Sequence, residues 1–250
     1  MSIVQEINCS HCGAPIPFEP GEILATCKYC GYTVVVKTGK DFTFAHSMLP
    51  NNYSPEEIEA PIRNWMRSGF LKPSDLAKSK IVEKVLIYLP FWVVSMELES
   101  IYEGLFERIT PAIVKKGSIK KKYDWLVVAR RASEFPTREY DVPLKGKIPY
   151  DFRRIEAFAK LLNSEIDKQD AIDIAKQEVE AHHQFLVQED VDRIITIKND
   201  SEIDQTVYIH CPIWFIKYEY KSKLYNLFVD GSSGTVIKGD IPPTDFGLFS

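Results

Sequence analysis

Two cysteine pairs of the same form, Cys9-Ser-His-Cys12-Gly13 and Cys27-Lys-Tyr-Cys30-Gly31, constrain this chain more than any other feature. A C-x-x-C turn delivers two thiolates to one point, and two such turns supply the four soft ligands that zinc takes in a tetrahedron. Glycine after each pair suits a tight turn whose N–H groups point at the sulfurs. The fourteen residues between the pairs include Pro15, Pro17, Pro20 and Gly21, which leaves room for a hairpin and none for a helix. After the second pair, Thr33-Val-Val-Val-Lys37 is β-branched and reads as a strand. The expectation is one Zn2+ held by Cys9, Cys12, Cys27 and Cys30. Four ligands close the coordination sphere, so the ion is expected to staple the fold and not to activate water. His11, inside the first pair, is expected to be exposed and not a ligand. Four of the five cysteines fall in these pairs, which favours metal binding over a disulfide framework.

Residues 7–37 resemble the zinc ribbons of TFIIB type that stand at the head of many archaeal and bacterial proteins. The resemblance implies a small module of short hairpins. Some of its members bind nucleic acid or protein, and others only cap a domain.

The chain has 250 residues, 45% hydrophobic and 26% charged, which fits folded domains and excludes a disordered or coiled-coil chain. A formal charge of −4 excludes a general nucleic-acid coat, though not a local basic patch. The longest apolar runs, Val85–Met96 and Val207–Tyr218, are each broken by a proline and fall short of the roughly 20 residues a membrane span needs. They read as buried strands. Met1 to Ile7 has no basic and apolar leader pattern, so a soluble protein of a reducing cytoplasm is expected.

The same two runs are similar to each other. At a constant offset of 122, eight of 22 positions from Val85–Phe106 match Val207–Phe228, among them Pro90/Pro212 and Trp92/Trp214. The match points to an α+β fold: a small N-terminal zinc ribbon plus a duplicated body of helices on antiparallel sheet. The expected domains are 1–40 for the ribbon, 41–145 for the first half and 146–250 for the second. A helix is expected from Ser54-Pro-Glu-Glu57, with Ile58, Ile62, Trp65 and Met66 on one face. In the second half Ala171, Ile174, Ala175, Val179, His182, Phe185 and Leu186 form a similar stripe. Asp151–Asn163 reads as a further amphipathic segment, and Val229-Asp-Gly-Ser-Ser-Gly-Thr-Val-Ile237 as a hairpin. The Pro-x-Trp strands and that hairpin are similar to those of uncharacterised prokaryotic zinc-ribbon proteins, and the hairpin also to PepSY-type domains. Neither resemblance implies an activity. The two tryptophans are expected in the core, with base stacking as the alternative.

Residues with catalytic potential are few. Gly231-Ser-Ser-Gly234 lacks the lysine of a phosphate loop, and Cys211 lies in an apolar strand with His210 on its opposite face. Glu178 and His182, four apart, are the nearest approach to a hydrolytic or metal-binding group, and a solvated helix face explains them better. Charge says more. From Lys115 to Arg131 the net charge is +6 over 17 residues, carried by Lys115, Lys116, Lys120, Lys121, Lys122, Arg130 and Arg131. Tyr123 and Trp125 are interleaved, and Arg138, Arg153 and Arg154 follow. By contrast Glu165–Asp192 carries −7. These features lead to the expectation of a non-enzymatic adaptor docking on a ribonucleoprotein, such as a ribosomal subunit, through ribbon and basic hairpin. The alternative is a protein–protein scaffold or homo-oligomer in which the basic and acidic segments of two copies pair.

Overall fold

The computed structural model describes residues 5–36, 46–69, 71–131 and 135–243; Lys37, the end of the expected ribbon strand, lies outside them. The ribbon consists of two antiparallel hairpins, β1 (Gln5–Asn8) with β2 (Pro15–Phe18) and β3 (Leu24–Thr26) with β4 (Thr33–Val35). There follow β5 (His46–Met48), α1 (Glu59–Arg67), β6 (Lys80–Phe106), β7 (Ile113–Val128), β8 (Ile148–Pro149), β9 (Lys160–Leu161), α2 (Lys168–Asp190), β10 (Arg193–Tyr220), β11 (Lys223–Asp230) and β12 (Val236–Gly239). The body is thus mostly sheet, with two helices.

Its axis is a single antiparallel pair. Strands usually run 3–10 residues, but β6 has 27 and β10 has 28, and they pair almost end to end. Register shifts between Ile194 and Thr196, Ile203 and Gln205, and Lys217 and Tyr218 interrupt the ladder. At one end β11 and β12 extend the sheet beyond β10; at the other, β7 flanks β6. The sequence pattern follows the cover. Tyr88 to Val94 is apolar without interruption, apart from Pro90, and buried throughout, because both faces are packed there. From Met96 to Tyr102 buried and more exposed residues alternate, because only one face is covered; the alternation holds even where Ser100 takes a buried position and Ile101 an exposed one.

Both helices lie on the same face. Ile58, Ile62 and Met66 of the first helical segment pack on Leu86, Tyr88, Trp214 and Ile216. Ala171, Ala175 and Val179 of α2 pack on Trp92, Val94, Met96, Leu98 and Tyr208. The opposite face holds Phe91, Val93, Ile209 and Ile213 beneath Phe135 and Tyr140. Trp92 and Trp214 are both buried, with their indole N–H groups donating to the Ile166 carbonyl (2.9 Å) and Asn51 Oδ1 (3.1 Å). Neither ring is available to a base.

Several expectations change. Ser54 and Glu57 form the expected reciprocal capping box, yet α1 begins only at Glu59. The intervening turn takes tighter bonds, Glu59 to Glu56 and Ala60 to Glu57, ahead of Pro61, which has no N–H to donate. On α2 the buried stripe is Ala171, Ala175, Val179, His183 and Val187, while Phe185 is exposed. A four-residue step along a 23-residue helix thus selects His183 and not His182. Asp151–Asn163 forms no helix, only a short turn and the two residues of β9.

The segments 41–145 and 146–250 share one sheet, since the two similar strands are paired with each other. Leu89 and Cys211, related by the offset, are direct partners, flanked by Pro90 opposite His210 and Tyr88 opposite Pro212. The ungapped correspondence stops at Tyr220. There β10 turns back through Lys221 (φ 47°) and Ser222 (φ 60°), whereas its counterpart continues to Phe106. The matches at Ser222, Leu227 and Phe228 therefore fall in a turn and in β11, not in an equivalent strand.

Candidate metal centre and ribbon–sheet junction

The two cysteine turns have the same geometry. Gly13 N–H donates to the Cys9 carbonyl and Gly31 N–H to the Cys27 carbonyl, each at 2.9 Å. Their φ values, 75° and 76°, lie in the left-handed region that favours glycine. The four sulfurs are mutually within 4.8 Å, with Cys9 to Cys30 at 3.5 Å and Cys12 to Cys27 at 3.6 Å. Four thiolates at about 2.3 Å from an ion stand about 3.8 Å apart, so the donor set and spacing fit one tetrahedral metal. Cys9 and Cys27 are buried; Cys12 and Cys30 are exposed. Without a cation the thiols cannot all ionise. Burial raises Cys27 and pushes Cys30 up to about 12. Burial acts the same way on Cys9, but N–H donors from Cys12 and His11 outweigh it and hold that thiol down to about 7. A bound cation favours thiolates and so opposes the effect of burial on Cys27 and Cys30. His11 stacks on Tyr32 and lies outside the cluster.

The ribbon has a small core of its own, Ile16, Ala25 and Val34 around Cys9 and Cys27, and is also seated on the body. Leu24 packs with Trp92 and Val94, and Ile23 N–H donates to the Ser164 carbonyl at 2.7 Å. Arg130 bridges Glu22 (3.1 Å) and Glu165 (3.2 Å), and Asn163 holds Glu22 from the other side at 2.9 Å. Arg130 thus clamps the ribbon to the sheet.

Beneath this clamp runs a hydrogen-bonded chain with a defined direction. His210 Nε2 lies 2.9 Å from the Leu162 carbonyl, which can only accept, so that nitrogen carries the proton. His210 Nδ1 then accepts from His46 Nε2 at 2.7 Å. His46 Nδ1 in turn accepts from Thr33 Oγ1 at 2.8 Å, and Thr33 accepts from Thr26 at 3.1 Å. Every link is satisfied only if both imidazoles are neutral. Burial drives His210 down to about 4; burial and then the neighbouring His210 hold His46 well below its usual range. Tyr150 stacks on His46 with ring centres 4.0 Å apart. Each half of the chain was out of sight in the sequence, since His46 and His210 are far apart along it.

The basic segment lies mostly in β7, opposite the glutamates of β6. Lys116 meets Glu103 at 3.0 Å, Lys120 meets Glu97 at 2.8 Å and Glu99 at 3.7 Å, and Lys122 meets Glu97 at 3.8 Å. Lys115 is bonded to Asp190 of α2. With Arg130 in its clamp, only Lys121 and Arg131 of the seven make no ion pair among the described residues. Much of the net +6 of the sequence is met by carboxylates that folding brings alongside, those of Lys116, Lys120 and Lys122 by pairing of the strands.

The other candidate groups are engaged as well. Glu178 accepts from Trp125 Nε1 at 2.6 Å and from Arg138, whose guanidinium lies 3.7 Å from the Trp125 ring centre. It does not meet His182. Folding also creates a serine–histidine contact the sequence did not suggest: Ser100 Oγ is 2.8 Å from His183 Nδ1. Ser100 donates to Asn199 Oδ1 at 2.7 Å, so it must accept from His183, while His183 Nε2 takes the Tyr123 hydroxyl proton at 2.8 Å. That polarity is the reverse of nucleophile activation, and both side chains are fully buried. Cys211 is likewise fully buried, its thiol raised well above the usual range by desolvation.

Among the described residues the four cysteines are the one cluster suited to a metal ion, and no helix is long and apolar enough to cross a membrane. Compared with protein-family models, curated proteins and solved structures, the chain finds no match in any of the three.

Proposed function

We propose that this protein is a non-enzymatic, zinc-stapled adaptor of the cytoplasm that docks on a ribonucleoprotein with the ribbon side of its sheet. The thiolate set suits zinc, and a reducing compartment keeps such thiols available to it. The observation that carries the reading is a local group of cations on the ribbon side without an ion pair. In β7 the strand pairing neutralises most lysines, but Lys28, Lys145, Lys147 and Arg154 make no ion pair among the described residues. Lys28 belongs to the second cysteine turn, and the other three flank β8, which hydrogen-bonds to β5 beneath the ribbon. Unpaired cations are what a phosphate backbone neutralises. The inverted polarity around Ser100 and the occupied Glu178 support a binding role over a hydrolytic one. We also read the 122-residue offset as an old duplication, supported by the pairing of Leu89 with Cys211.

Co-sedimentation of the native protein with ribosomal subunits tests the reading. Association should fall by at least tenfold between about 50 and 200 mM salt. A second reading, self-association or a protein scaffold, has its own observation: the sheet face opposite α2 is open, exposing Ile101 (59%) and Val114 (52%) among Glu97, Glu99, Lys116 and Lys120. It predicts a partner that is protein alone, held with little dependence on salt.

A further inference from the structure

The second cysteine turn and the body enclose a cleft of about 620 Å³. One wall is Tyr29, Cys30 and Gly31; the other includes Phe152, Arg153 and Arg154. Packing fixes the turn against the body here, since a Cβ on Gly31 would stand 3.7 Å from the Phe152 nitrogen and from the Tyr150 ring. Tyr29 is 74% exposed, although it is a large aromatic held at the rim of a metal site. The tight cysteine turn fixes the backbone that carries the ring, which lowers the cost of ordering it on binding. Opposite it, Asp151 holds Arg153 with two parallel bonds of 2.9 Å, which orients the guanidinium, whereas Arg154 makes no ion pair among the described residues, although its charge also acts on Asp151. Lys28 adjoins Tyr29 in sequence and is exposed.

We infer that this cleft binds a single-stranded RNA segment, one base stacking on Tyr29 and the adjoining phosphates meeting Arg154 and Lys28. The inference rests on the ribonucleoprotein reading and gives it a site away from β7. An acidic peptide would use the same cations but would have no need of the ring. An exposed aromatic beside unpaired cations is the combination that single-stranded nucleic acid requires, a face for a base and charge for the backbone. Phe152, on the far wall, offers a second apolar surface.

The test is fluorescence anisotropy of a labelled oligouridylate of about 12 nucleotides with the full-length, zinc-loaded protein. Zinc content is measured for every variant, so that loss of the turn is not mistaken for loss of the contact. Tyr29→Ala should weaken binding by about tenfold or more, and Tyr29→Phe should restore it, as expected for stacking. Lys28→Ala with Arg154→Ala should lower the log–log salt slope by about 1.4, at about 0.7 for each phosphate contact on a single strand. Replacing Lys120, Lys121 and Lys122 by Ala should change the affinity less than twofold. If the wild type binds and the β7 variant alone loses affinity, the cleft is overturned while the RNA reading stands. If a polyglutamate peptide binds equally well and ignores Tyr29→Ala, the cleft is an anion site of another kind and the inference fails. If the wild type binds no RNA in low salt, the ribonucleoprotein reading fails with it.

Discussion

Replacing His210 by Gln removes a titrating group from the junction while leaving a donor for Leu162 and an acceptor for His46. The folded protein holds His210 at about 4 against an ordinary value of 6.5, chiefly through burial. A histidine lowered in this way opposes folding in acid. Below 6.5 the unfolded chain takes up a proton that the folded chain refuses until pH falls to about 4, so stability is lost across that window as pH falls. At pH 7 both states are mostly neutral and the contribution is small. At pH 5 the difference in proton binding amounts to about 2 kcal/mol in favour of the unfolded state. At pH 7 the variant should be less stable by about 1–3 kcal/mol, for imperfect replacement of two buried hydrogen bonds. By pH 5 that gap should narrow by about 2 kcal/mol, because only the wild type carries the acid penalty of His210. Urea unfolding of both proteins at pH 7, 6 and 5, with zinc in excess, measures this directly. The cysteine thiolates also respond to acid, but they are present in both proteins and cancel in the difference; His46 is lowered by burial and then by His210, so losing His210 eases its own acid penalty in the variant and adds to the narrowing. Parallel stability curves would refute the reasoning, since they would mean that His210 titrates alike in the folded and unfolded chains.

Three further outcomes are expected. Cys9→Ser combined with Cys27→Ser should abolish stoichiometric zinc by elemental analysis; because Leu24 sits with Trp92 and Val94, unfolding of the body should also move to lower urea, and a double variant retaining one zinc would sink the assignment. Trp92→Ala and Trp214→Ala should each cost about 3–5 kcal/mol in the same assay, since both rings are buried with satisfied N–H groups; a change under about 1 kcal/mol would contradict the packing. Gly117→Ala should destabilise by about 1–3 kcal/mol, because its Cβ would meet the Tyr102 ring, which is tethered through its hydroxyl to Asp190; a neutral result would show that the ring swings aside freely.

The four-cysteine cluster was legible in the sequence because its determinants are local. Two C-x-x-C-G turns specify ligands, glycines at positive φ and the hairpin between them within about thirty residues, and no distant segment is needed to complete the set. The buried strands were legible for a related reason: a short apolar run such as Tyr88–Val94, with a proline inside it and β-branched and aromatic residues around it, favours a strand covered on both faces over a helix. Charge was only partly legible because a charge count is local and ion pairing is not. Nothing near Lys116, Lys120 or Lys122 in sequence announces that Glu103, Glu99 and Glu97 will face them, since the pairing follows from the register of β6 with β7. The same reason hid His46 from His210, Ser100 from His183 and Tyr29 from Arg154. For the strand residues among them a one-residue shift of register would turn the side chain to the other face, and register is decided by the whole buried sheet, not by any segment of it. The chain by itself therefore determined the metal ligands, the apolar strands and the caps. Only the tertiary structure decided which charges are neutralised, which histidines meet, and which cations remain for a partner.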